Sequence, residues 1–140
     1  FAEDQCFADL SVLKSRDGDE VDATALPFAG QSENLLLVTV VEGRLVLDNL
    51  EQNYRTVLEW DREIFPSLML WISNRGRSQR PWLNRHLALG AEPVRAAFDL
   101  GVGISVASNP LNQAGVPTAW RFTAGESLTT RYSISASVLP

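Results

Sequence analysis

The residues most able to do chemistry lie together in one stretch, Asn74-Arg75-Gly76-Arg77-Ser78-Gln79-Arg80-Pro81-Trp82-Leu83-Asn84-Arg85-His86. A sugar presents apolar C–H faces and a rim of hydroxyls. It is held by an aromatic ring under the face and by fork-like or amide groups at the rim. Trp82 supplies the ring, Arg80 and Arg85 the forks, and Asn74 an amide, a set that suits a monosaccharide or a sugar phosphate. The same composition also describes a solvated arginine-rich loop that Trp82 anchors to the core. His86 is the single histidine of the chain, and imidazole is the side chain best suited to proton transfer near neutral pH. It stands close enough in sequence to Glu92 to contribute to one pocket, though a lone loop histidine is more often plain surface. Read from its neighbours alone, Glu92 is a strand-end glutamate that pairs with a nearby arginine or caps a short helix.

Other patterns exclude more than they suggest. Gly101-Val102-Gly103 lacks a third glycine and a strand–turn–helix setting, so it is no dinucleotide loop. Asp17, Asp19 and Asp22 do not have the glycine and terminal glutamate of a calcium loop, and no serine sits in a Gly-x-Ser-x-Gly turn. The lone Cys6 can form neither an intramolecular disulfide nor a thiolate metal cluster, which suits a reducing, cytoplasmic setting with no metal and no cofactor. A net charge of -5 works against nucleic acid, whose phosphates require clustered cations. Of the 12 basic residues only Lys14 is lysine, so positive charge comes almost wholly as planar guanidinium.

The elements that must position these groups read as strands. The length of 140 residues, 45% of them hydrophobic, allows one ordinary domain. No apolar run approaches the roughly 20 residues of a membrane-spanning helix, so no membrane partner is expected. Residues 1–30 form an acidic, irregular segment with a short strand around Phe7 to Leu13. The opening Phe1-Ala2-Glu3-Asp4 looks like the start of a piece of something longer. From about residue 31 to 140, short apolar segments recur every 8–12 residues, the signature of an all-β antiparallel β-sandwich. The spacing predicts strands over Leu35 to Val41, Arg44 to Leu47, Tyr54 to Trp60, Ser67 to Ser73, Leu87 to Glu92, Val102 to Ser108, Thr118 to Thr123 and Thr130 to Leu139. In the last, Tyr132, Ile134, Ala136 and Val138 alternate with Arg131, Ser133, Ser135 and Ser137, which predicts one wet sheet face. Glu92 to Leu100 is the one local competitor, a short helix between Pro93 and Gly101. Trp60, Trp71 and Trp120 read as core or sheet-face residues.

Three ordered motifs carry a family resemblance. Leu70-Trp71-Ile72-Ser73-Asn74 and its polar loop come first, then Leu89-Gly90-Ala91-Glu92-Pro93, then Phe122-Thr123-Ala124-Gly125-Glu126-Ser127 before the alternating last strand. Together they resemble the C-terminal half of the galactose mutarotase-like, or aldose 1-epimerase, family, over about Pro27 to the end. The resemblance implies part of a supersandwich. It also implies ring opening of an aldose by a buried carboxylate base and an acid, usually histidine, with Glu92 at the base position. The family's active-site histidines come from an N-terminal half that has no counterpart here, and His86 does not occupy a matching position. The chain is therefore expected to be part of an epimerase, or else a non-catalytic carbohydrate-binding or protein-interaction module. Half of a large sandwich also exposes sheet edges, so a homo-oligomer, most simply a dimer, is expected in place of the missing half.

Overall fold

The computed structural model describes residues 1–2, 6–39 and 41–140. It is all-β and sandwich-like in element content. The strands are β1 (Leu13–Lys14), β2 (Glu20–Val21), β3 (Ser32–Thr39), β4 (Arg44–Asn49), β5 (Tyr54–Trp60), β6 (Ser67–Asn74), β7 (Leu87–Val94) and β8 (Tyr132–Val138), with two short helices, α1 (Gly101–Val106) and α2 (Pro110–Gln113). The predicted strand to Val41 runs past β3, and Val40 lies outside the described residues, as do Glu3 and Asp4.

The strands form three sheets: the β1–β2 hairpin, β3-β6-β7, and β4-β5-β8. Strand β6 is central in its sheet, which explains why its sequence runs apolar without alternation: seven of its eight residues are buried. In the third sheet β5 is central and antiparallel to both neighbours, pairing Leu45 with Leu58 on one side and Leu58 with Ile134 on the other. The β-branched and aromatic residues of β5, Thr56, Val57, Tyr54 and Trp60, fit a pleated surface.

Two compact units emerge from the packing, one of Phe1–Leu35 with Trp71–Gly90, the other of Leu36–Leu70 with Ala91–Pro140. This differs from the expected boundary near residue 31. The N-terminal segment is not irregular throughout, since a 3₁₀ turn at Leu10–Val12 leads into β1 where a strand over Phe7 to Leu13 was expected. In the first unit Leu13 and Ile72 are fully buried or nearly so; in the second Leu36, Trp60, Ile64, Leu68, Met69, Leu70 and Ala97 form the core. Trp60 also donates its indole N–H to the Phe65 carbonyl at 3.0 Å, as expected of a core tryptophan with a polar edge.

Two expectations fail in the C-terminal third, and the competing short helix there does not form. Val102 to Ser108 is not a strand but α1. Its alternating Val102, Ile104 and Val106 mimic a strand, yet Asn109 takes the helix-end carbonyls of Ile104 and Ala107, both at 3.1 Å, and the Ser105 hydroxyl accepts from the Ala97 N–H at 3.0 Å. These side-chain bonds from flanking residues override a weak strand preference. Thr118 to Thr123 is irregular, because Thr118 turns its hydroxyl into the same buried network, donating to the Ser105 carbonyl at 2.7 Å. Glu92 to Leu100 forms no helix; β7 continues through Val94 and the chain then turns, with Phe98 at φ 54°.

Candidate functional site

The site is built where the end of β6, the start of β3 and the loop between β6 and β7 meet, all within the first unit. Trp71 and Ser73 stand two residues apart on β6 and so share a face. Both reach Glu33 of β3: the Ser73 hydroxyl donates to Oε1 at 2.6 Å and the Trp71 indole N–H to Oε2 at 3.0 Å. Arg77 adds its Nε–H to Oε2 at 3.3 Å. The approach depends on Gly76. A Cβ there would sit 2.6 Å from the Ser32 carbonyl carbon, 2.8 Å from its oxygen and 2.9 Å from Glu33 Cγ. Only a bare Cα lets the chain leave β6 so close to β3 and bring Arg77 onto the carboxylate.

The loop closes on itself. The Arg75 N–H donates to the His86 carbonyl at 2.9 Å and the Asn84 N–H to the Arg77 carbonyl at 2.7 Å, so its two arms run side by side. Arg75, Leu83 and Asn84 hold positive φ values of 59°, 48° and 56°, left-handed conformations that Arg and Leu seldom adopt and Asn tolerates. The closure stacks the side chains: the Arg77 guanidinium lies 4.6 Å from the Trp71 ring centre and 5.4 Å from that of Trp82, and His86 lies 4.7 Å from Trp82 and 5.7 Å from Trp71. Gly90 on β7 leaves room for the Trp71 ring, whose Cε3 would be only 3.2 Å from a Cβ there.

Glu33 is charged in this setting. Burial works against its ionisation, but the hydrogen bonds from Ser73, Trp71 and Arg77, with the Arg77 charge, outweigh that and hold the carboxyl below its usual range. A carboxylate only accepts hydrogen bonds, so the single Ser73 proton is committed to it. His86 Nδ1 lies 2.9 Å from the same serine oxygen and must therefore be the protonated nitrogen, donating to Ser73. The chain Glu33–Ser73–His86 thus holds a proton on Nδ1 of the imidazole. Serine here is a relay between a carboxylate and an imidazole. It is not poised as a nucleophile, because the base that would take its proton is donating to it.

The residues expected from the sequence separate into groups. Trp82 and His86 are in the cluster and half-buried. Arg80 and Arg85 are exposed on the same loop and have no side-chain partner among the described residues. Asn74 does not line the site. It is wholly buried, its amide oxygen accepts from the Phe28 N–H at 3.1 Å, and its amide nitrogen donates to the Phe28 and Gly30 carbonyls at 3.3 and 3.1 Å. With every bond used, Asn74 is a peg that holds the 28–30 segment. Glu92 is not the buried carboxylate that was expected. Position 92 of β7 points into solvent, with no hydrogen bond or ion pair among the described residues. Nothing there desolvates the group as a general base requires.

Glu33 and Ser73 escaped the sequence reading as site residues, and Arg77 entered it only as one guanidinium of the loop. Glu33 lies 40 residues from Ser73, and no local pattern links them. The available signal was Trp71 and Ser73 at a spacing of two on an otherwise apolar strand, two polar tips on one face that had to meet a partner. Trp71 is accordingly a sheet-face residue with a polar bond, and Trp120 an exposed one stacked 4.5 Å under the Arg95 guanidinium. No helix among the described residues is long and apolar enough to cross a membrane. In comparison with known proteins, no family model, no curated protein and no solved structure matches the chain.

Proposed function

We propose that the chain is a carbohydrate-binding β module whose ligand, a monosaccharide or sugar phosphate, is held by the loop from Arg75 to His86. The observation that supports this most is the ordered layer of Trp71, Arg77, Trp82 and His86, anchored on Glu33. Rigid aromatic surface with polar groups at its rim is what a pyranose ring requires, and pre-ordering lowers the entropy cost of binding. Trp82 offers the ring, while Arg80 and Arg85 are free to reach hydroxyl or phosphate oxygens. The test is titration of the protein with aldoses and aldose phosphates, followed by the indole N–H resonances of Trp71 and Trp82. Saturable shifts of both, with the Trp71 shift lost in Trp82→Ala while the fold stays intact, support the reading; no shift at tens of millimolar sugar defeats it.

A second reading is ring opening of an aldose by acid–base catalysis. It is favoured by the Glu33–Ser73–His86 chain, which orients an imidazole and holds a proton on its Nδ1, as suits an acid–base group. Glu92 enters this reading only through the epimerase-like Gly90-Ala91-Glu92-Pro93 motif. Polarimetry of α-glucose or α-galactose approaching anomeric equilibrium decides it. A rate above buffer that falls in His86→Gln supports it, and equal rates with Glu92→Gln remove Glu92 from the mechanism.

A further inference from the structure

Strand β8 is an edge of the β4-β5-β8 sheet, and all seven of its residues are exposed. One wet face was expected there. In fact the apolar face is wet too: Tyr132 is 72% exposed, Ile134 66% and Val138 72%. The outer backbone edge of β8 pairs with no strand among the described residues, so its N–H and C=O groups form a ready template. The opposite edge is guarded, since β4 carries Arg44 and Asp48, which pair with Glu59 at 3.6 Å and Arg55 at 2.7 Å on β5. From Tyr132 to Pro140 there is no charged side chain to repel a second strand.

The strand is also a palindrome of polarity. Turned antiparallel on itself about Ser135, the sequence Tyr132-Ser133-Ile134-Ser135-Ala136-Ser137-Val138 sets Tyr132 against Val138, Ser133 against Ser137, Ile134 against Ala136 and Ser135 against itself. Every apolar residue meets an apolar one and every serine a serine. A slip of one residue would set serines against apolar groups, and larger slips leave strand ends unpaired. We propose that β8 pairs with β8 of a second copy of this chain, antiparallel and centred on Ser135, joining two three-stranded sheets into one of six strands across a two-fold axis. The occupant is a second copy because the edge complements itself in register, in polarity and in its lack of charge.

Sedimentation equilibrium of the chain, of Ser135→Lys, of Ser135→Glu and of their equal mixture tests the proposal. The unaltered chain should show a concentration-dependent dimer. Each variant places two like charges directly opposite and should dimerise at least about fivefold more weakly. The mixture should regain the dimer as a mixed species. A monomer at every concentration up to about 1 mM overturns the proposal, as do variants that associate like the unaltered chain, or a mixture without recovery. Ser135 is exposed, so the urea midpoints should match; if either variant fails to fold, an equal mixture of Ser133→Lys and Ser137→Glu chains, whose two new charges face each other only in the mixed dimer, should favour that species over either single-variant dimer, and a mixture without that preference overturns the register.

Discussion

Ser73→Ala cuts the hydrogen-bonded link between Glu33 and His86, and its cost follows from the bonds it removes. The serine oxygen is wholly buried and holds two hydrogen bonds, a donated one to a carboxylate at 2.6 Å and an accepted one from an imidazole at 2.9 Å. A bond to a charged group contributes about 1.5–3 kcal/mol and a neutral one about 0.5–1.5 kcal/mol. Removing the serine also leaves the Nδ1–H of His86 without its acceptor. The expected loss is about 2–4 kcal/mol, seen as a lower urea midpoint with an unchanged slope. Because Ser73 and Glu33 act through one bond, the double variant Ser73→Ala with Glu33→Gln should lose about 1 kcal/mol or more less than the sum of the single losses. Urea titration followed by tryptophan emission and by far-ultraviolet dichroism measures all four proteins. A Ser73→Ala cost below about 0.5 kcal/mol, or strict additivity, would refute the relay.

Three further outcomes follow from the same site. The Glu33 carboxyl is held below the ordinary glutamate value of 4.5, so its contribution is present above that pH and is lost as the pH falls through the lower folded value. Glu33→Gln should be less stable at pH 7 and lose less on acidification, as thermal melts across pH 7 to 3 will show. Gly76→Ala forces a methyl group against the Ser32 backbone and should cost roughly 1–3 kcal/mol, and it should also move the indole resonance of Trp71 as Arg77 is displaced from Glu33. Asn74→Ala removes three buried bonds and should cost about 2–4 kcal/mol, while sugar-induced shifts of Trp82, if present, persist in the folded fraction.

Much of the β architecture was legible because its cause is local. The run Tyr54 to Trp60 was bounded correctly, and Ser67 to Ser73 and Thr130 to Leu139 came within a residue or two of β6 and β8. β-branched and apolar residues between turn formers leave the chain few other ways to satisfy its backbone. The errors fall where side chains outside the apparent strand decide the backbone. Val102 to Val106 carries a strand-like alternation, yet Asn109 bonds to its carbonyls and Ala97 to Ser105 settle it as a helix. The dry face expected of β8 is wet because alternation reports which residues share a face, not whether anything covers that face.

The candidate site divides in the same way. Sequence alone determined that an arginine-rich loop bearing Trp82 and His86 lies between two strands, since composition and order are properties of the chain itself. Tertiary structure alone decided that Glu33 is the anchor, that Asn74 is a buried peg and that Glu92 stands in solvent. Burial and hydrogen bonding depend on which distant backbone comes within 3 Å. At Glu33 that approach turns on a missing Cβ at Gly76, a steric fact that exists only once the two segments meet.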